Sequence, residues 1–132
     1  MARIIHVEDD ETMGQLVQAI LSEAGHIVGL IGHGALGHDT VALKQPDLVI
    51  LDRELPGMDG IEILKSLRKV AGLYRTPILM LSANRSEKSI AEAMAAGARD
   101  YLVKPFEPAD LVARVAACLQ PAPATALRRP RA

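Results

Sequence analysis

Tryptophan is absent from this 132-residue chain, phenylalanine occurs once and tyrosine twice. So few aromatic rings exclude a stacking platform for single-stranded nucleic acid. They also leave the core to Ile, Leu, Val, Ala and Met. The lone cysteine, Cys118, excludes an internal disulfide and fits a reducing compartment. Its place in a late apolar stretch marks it as core. No apolar run approaches the ~20 residues of a membrane-spanning helix. The opening Met1-Ala2-Arg3-Ile4-Ile5-His6-Val7 lacks the pattern of a secretory signal, so the expected location is the cytoplasm. A strong charge of either sign is missing too, the formal net being −1. With Arg128, Arg129 and Arg131 set aside, twelve basic residues face sixteen acidic ones, a poor match to a polyanion. Direct nucleic-acid binding and membrane association are therefore not expected.

What is present is an apolar fraction of 49% and a charged fraction of 23%, enough to bury one compact core. Short, nearly continuous apolar runs at Arg3–Val7, His26–Ile31, Leu48–Leu51, Ile78–Leu81 and Tyr101–Val103 read as strands covered on both faces. Helical spacing lies between them. Met13, Leu16, Val17, Ile20, Leu21 and Ala24 share one predicted helix face, and Leu111, Val112, Val115 and Leu119 another. Gly25 and Gly97 read as helix stops, Ser86 and Asp10 (or Thr12) as caps, and Pro108 as a first-turn proline. Gly32, Gly34 and Gly37 weaken the second predicted helix. Five strand–helix alternations imply an α/β fold, a five-stranded parallel sheet with helices on both faces. The folded body spans 1–119. Residues 120–132, rich in Pro, Ala and Arg, read as a flexible tail or linker stub.

Polar groups gather where the predicted strands end. Glu8-Asp9-Asp10 follows the first, Asp52 the third, Ser82 the fourth and Lys104-Pro105 the fifth. In open parallel sheets ligands bind outside the carboxyl ends of the strands. Neighbouring strands lie only ~4.8 Å apart, so these groups can share a pocket. Clustered carboxylates repel unless a cation separates them, and oxygen ligands suit Mg2+. A carboxylate can attack phosphorus, while a lysine and a hydroxyl can hold phosphoryl oxygens.

The runs Val7-Glu8-Asp9-Asp10, Leu51-Asp52-Arg53-Glu54-Leu55-Pro56-Gly57-Met58-Asp59-Gly60, Leu81-Ser82-Ala83 and Lys104-Pro105-Phe106 resemble response-regulator receivers of the chemotaxis-regulator type used in two-component signalling. The resemblance covers roughly residues 3 to 119. It implies a flavodoxin-like doubly wound (βα)5 fold. It further implies Asp52 as phosphoacceptor, and Glu8, Asp9, Asp52 and the Glu54 backbone carbonyl around Mg2+. Ser82 is implied as the switch hydroxyl, Lys104 as the lysine on the phosphoryl group, and the Lys104–Pro105 bond as cis. Tyr101 matches the aromatic whose ring turns inward when the hydroxyl engages phosphate. The implied partners are a sensor histidine kinase or phosphotransfer protein and a downstream protein, or a second receiver, on the face of the fourth helix, fifth strand and fifth helix. Such a domain is a phosphorylation target rather than an enzyme.

Two other readings compete. An Asp-nucleophile Mg2+-dependent phosphohydrolase would want a second Asp where Glu54 stands. A flavodoxin-like ligand binder would want a phosphate-cradling loop where Glu8-Asp9-Asp10 repels phosphate. Asp59-Gly60 more simply starts the third helix, and His33 and His38, in a glycine-rich stretch, lack metal-ligand company. His6 and His26 read as structural. Glu54 and Asn84, each two residues past a site residue, are expected to put their side chains at the pocket mouth.

Overall fold

The computed structural model describes residues 1–121. The tail reading therefore falls, from residue 122 onward, outside the described residues. Five strands form one parallel sheet: β1 (Arg3–Val7), β2 (Ile27–Ile31), β3 (Leu48–Asp52), β6 (Ile78–Ser82) and β7 (Asp100–Val103). Their spatial order is β2-β1-β3-β6-β7, so the chain winds first one way and then the other from β1. Two residue pairs, β4 (Glu54–Leu55) and β5 (Met58–Asp59), make a small antiparallel hairpin absent from the sequence reading.

Every residue of β3 and β6 is buried, as continuous apolar runs in central parallel strands require. Strand alternation divides the core in two. On one face Val7, Val49, Leu51 and Met80 meet Val41 of α2 (Gly34–Lys44), Ile63, Leu64 and Leu67 of α3 (Gly60–Leu67) and Ala93 of α4 (Glu87–Ala96). On the other, Ile4, Ile50 and Leu81 meet Val17 and Leu21 of α1 (Glu11–Glu23) and Leu111, Val115 and Cys118 of α5 (Pro108–Leu119). The doubly wound (βα)5 arrangement follows.

Local chemistry sets the helix ends. Asp10, not Thr12, caps α1 by accepting the Met13 N–H, and Ser86 caps α4 by accepting from Ser89. Asp59 accepts from Ile61 and starts α3. Gly25 and Gly97 follow helices at φ 97° and 113°, where an L side chain is strained.

One expectation fails here. The buried stripe of α1 runs Gly14, Val17, Leu21, while Leu16 is 48% exposed and Ala24 is exposed. The missing side chain at Gly14 lets Leu30 lie against the helix, where a Cβ would stand 2.5 Å from Leu30 Cδ2, and Leu16, two residues on, faces the opposite side. The second helix forms despite its glycines. His33 Nδ1 accepts the Leu36 N–H at its start, and Gly37 lets the helix press on Val7 of β1, where a Cβ would meet Cγ1 at 2.7 Å.

Candidate functional site

Because all five sheet strands are parallel, their carboxyl ends share one edge, and the polar groups named from sequence stand along it. β1 and β3 are neighbours, which sets Glu8 and Asp9 beside Asp52. One carboxylate oxygen from each of Glu8, Asp9 and Asp52 lies within 4.8 Å of the others. This is an all-oxygen donor set of the hard kind that Mg2+ or Ca2+ takes. Lys104, just past β7, reaches over β6. Its Nζ lies 3.2 Å from Glu8 Oε1 and 3.2 Å from Asp52 Oδ1. The Lys104 N–H donates to the Ser82 carbonyl at 2.8 Å, tying the end of β7 to that of β6. The Lys104–Pro105 bond is cis.

Burial makes the charges matter. Glu8 and Asp52 are each 2% exposed, whereas Asp9 faces solvent. Burial, then the facing Asp52 carboxylate, push the Glu8 carboxyl up to about 7, with Lys104 opposing them. Burial works against the Lys104 ammonium too, but Asp52 and Glu8 outweigh it and hold the lysine above its ordinary value. The Asp10 N–H donates to Glu8 at 3.2 Å, and the Glu54 N–H to Asp52 Oδ1 at 3.2 Å. Both carboxylates are thus oriented by backbone amides of their own loops.

Ser82, fully buried at the end of β6, donates its hydroxyl to Glu54 Oε2 at 2.5 Å. The Glu54 side chain does border the mouth. The Asn84 side chain turns away and accepts the Ser86 N–H at 3.0 Å. It is the Asn84 backbone that joins the site, its N–H on Ser82 Oγ at 3.0 Å and its carbonyl accepting the Tyr101 hydroxyl at 2.6 Å. Tyr101 lies inward, 5% exposed.

Three contributors escaped the sequence reading. Arg53 crosses to α4, donating to Ser89 Oγ, to the Ser89 carbonyl at 3.1 Å and to Glu92 Oε1 at 2.5 Å. Its only sequence signal was a long cation beside Asp52. Ser89, buried, bonds Tyr101 as well, at 2.9 Å. His6 lies fully buried behind Glu8, Nε2 3.8 Å from Oε1, and neither ring nitrogen has a hydrogen-bond partner among the described residues. A polar residue in an apolar strand was the available clue. His33 and His38 point elsewhere, His33 capping α2 and His38 meeting Asp39 and Ser66.

Known proteins resemble this chain in sequence and in fold. The sequence profile of the response regulator receiver domain matches residues 4–116. The DNA-binding response regulator MtrA of Mycobacterium tuberculosis is 39% identical over 118 residues, covering 89% of this chain and 50% of that protein. The phosphate regulon transcriptional regulatory protein PhoB of Rhizobium meliloti is 39% identical over 120 residues, 91% of this chain and 53% of that one. The chain thus spans about half the length of these curated relatives. Among solved structures, the chemotaxis protein CheY4 of Vibrio cholerae superposes with a TM-score of 0.85 at 32% identity, covering 89% of this chain and 98% of that one. The receiver domain of a Pseudomonas aeruginosa sensor histidine kinase, solved with magnesium coordinated in its active-site cleft, gives 0.82 at 28%, covering 89% and 97%. A match over most of the chain, in sequence and in fold, places this protein in the response regulator receiver domain family.

Proposed function

We propose that Asp52 is the phosphoacceptor of a two-component phosphorelay and that residues 1–119 form the receiver body. The observation that carries this reading is the Lys104 ammonium 3.2 Å from both Glu8 and Asp52, bringing a cation from the far end of the chain onto a buried acidic pair. An Asp52 oxygen attacks the phosphorus of a phosphohistidine on a sensor kinase or phosphotransfer protein. The P–N bond breaks, its electron pair stays on the imidazole nitrogen, and that nitrogen then takes a proton. Lys104 holds a phosphoryl oxygen, and Ser82 donates its hydroxyl to another. Glu8, Asp9, Asp52 and the Glu54 carbonyl would hold a Mg2+ ion, which when bound would supply positive charge to offset the carboxylates and the phosphoryl group.

The output is a shift between two arrangements of Ser82, Tyr101 and the α4–β7–α5 face, read by a downstream protein or a second copy of the chain. The domain is a target of phosphotransfer rather than a turnover catalyst, and it meets its kinase in the cytoplasm. Incubation with acetyl phosphate and Mg2+ followed by intact-mass measurement tests this. One base-labile phosphoryl group is expected, and it is lost in Asp52→Asn. Multiple turnover without a covalent adduct, or an adduct that survives Asp52→Asn, refutes it.

A further inference from the structure

Glu54 is an exposed residue at the start of the β4–β5 hairpin, yet its carboxylate turns back onto the rim. It accepts the Ser82 hydroxyl at 2.5 Å and, more weakly, the Ala83 N–H at 3.3 Å. From Ser82 the bonds run on without a break. The Asn84 N–H donates to Ser82 Oγ at 3.0 Å, and the Tyr101 hydroxyl donates to the Asn84 carbonyl at 2.6 Å. Tyr101 is therefore joined through three hydrogen bonds to a carboxylate two residues from Asp52. The Ser89 hydroxyl, itself bonded by Arg53, adds a second hold on the Tyr101 oxygen at 2.9 Å.

A serine hydroxyl has one proton and can serve one anion at a time. Here that anion is Glu54. We propose that the Glu54 carboxylate is an internal stand-in for the phosphoryl group, holding Ser82 and, through Asn84, keeping Tyr101 inward before any phosphorylation. This rests on the reading of Asp52 as phosphoacceptor. Phosphorylation then exchanges one anion for another at Ser82, and the Glu54 side chain sets how far the resting protein already leans toward the phosphorylated arrangement. The Glu54 carboxylate acts here as a positioning group, through Ser82; only the Glu54 backbone N–H meets Asp52.

The two tyrosines make the test direct. Tyr74 is 69% exposed and Tyr101 5%, so a protein labelled with 3-fluorotyrosine has two 19F signals of opposite exposure. The H2O-to-D2O shift of each is measured without Mg2+ or phosphoryl donor. In the wild type the Tyr101 signal is shielded. In Glu54→Ala, where the Ser82 hydroxyl loses its charged acceptor, the inward-to-outward ratio falls about tenfold, as for the loss of one charge-assisted hydrogen bond. The Tyr101 signal then moves toward the exposed value set by Tyr74. Glu54→Gln keeps an acceptor for Ser82 and stays closer to the wild type. A Tyr101 signal as shielded in Glu54→Ala as in the wild type overturns the proposal, and so does a Gln variant more exposed than the Ala variant. A separate arm treats the wild type with acetyl phosphate and Mg2+ and reads intact mass. No mass gain overturns the phosphoacceptor reading itself, and the stand-in with it, whatever Tyr101 does.

Discussion

Among the described residues, His6 is the buried side chain whose nitrogens find no hydrogen-bond partner, and its replacement gives a prediction with a definite sign. It is 0% exposed between β2 and β3, and both ring nitrogens lack partners. Burial first, and the Lys104 charge second, lower its pKa from 6.5 to about 3. The folded protein therefore keeps this ring neutral where the unfolded chain protonates it. A group with a lowered pKa stabilises above its unfolded value and loses that contribution as pH falls toward the folded one. At ~1.36 kcal/mol per pH unit, the His6 contribution falls by about 2–3 kcal/mol between pH 7.5 and 4.5. His6→Val removes the titration and two unpaired nitrogens, the latter worth about 1–3 kcal/mol, against about 1 kcal/mol for the smaller volume. Urea unfolding followed by circular dichroism, in Mg2+-free buffer, should find the variant about 1 kcal/mol more stable at pH 7.5. The gap should widen to about 3–4 kcal/mol at pH 4.5. Stability curves that run parallel from pH 7.5 to 4.5 would refute the argument.

Removing the Lys104 charge tests the other side of the cluster. Lys104→Met leaves Glu8 and Asp52 facing each other, and without Mg2+ the protein should lose about 2–3 kcal/mol, with Mg2+ raising its Tm more than that of the wild type. A smaller Mg2+ response in the variant contradicts this. Burial pushes the Cys118 thiol up to about 11, so its alkylation at pH 8 should run at least ~100-fold slower in the folded than in the urea-unfolded protein. Comparable rates would show that Cys118 is not held in the core. A Cβ on Gly60 would stand 2.5 Å from the Asp52 carbonyl oxygen and 2.6 Å from Arg53 Cα. Since backbone cannot swing aside, Gly60→Ala should cost about 1–3 kcal/mol in urea unfolding. Gly34→Ala, which meets the ends of the Ile63 and Met58 side chains at 3.2 and 3.3 Å, should cost under about 1 kcal/mol.

The strands were legible because each is a short apolar run bounded by polar residues, and the parallel sheet needs both faces covered. The site was legible for a related reason: Glu8, Asp9, Asp52, Ser82 and Lys104 each stand at or just past the end of such a run, so strand order alone brings them to one edge. Helix faces were read less well. Apolar spacing assigned Leu16 to the buried side because it cannot see that Gly14 makes room for Leu30. Likewise, glycines counted against α2 supply its closest approach to β1 at Val7. Helix propensity records the backbone cost of glycine but not what its missing side chain admits. The contacts of Arg53 and Glu54 were illegible for another reason. Long exposed side chains can turn several ways, and only the positions of Ser89, Glu92 and Ser82 decide which.

Those two side chains divide the work around Asp52. The backbone of Asp52 and Ser82 lies in strands buried at every residue, so neither can travel far. The segment between β6 and α4 and the first two residues of α4 are exposed, from Ala83 to Lys88. The loop after Asp52 grips that segment at both ends. Glu54 takes Ser82 and Ala83 where it begins, and Arg53 takes Ser89 and Glu92 where it runs into α4. Tyr101 is bonded to the same segment at Asn84 and to the same helix at Ser89. A phosphoryl group on Asp52, as proposed, would meet two neighbours bonded to opposite ends of this stretch, and a ring bonded to its middle. This geometry favours the proposed output on the α4–β7 side, since the gripped segment and the ring bonded to it both belong to that side of the sheet.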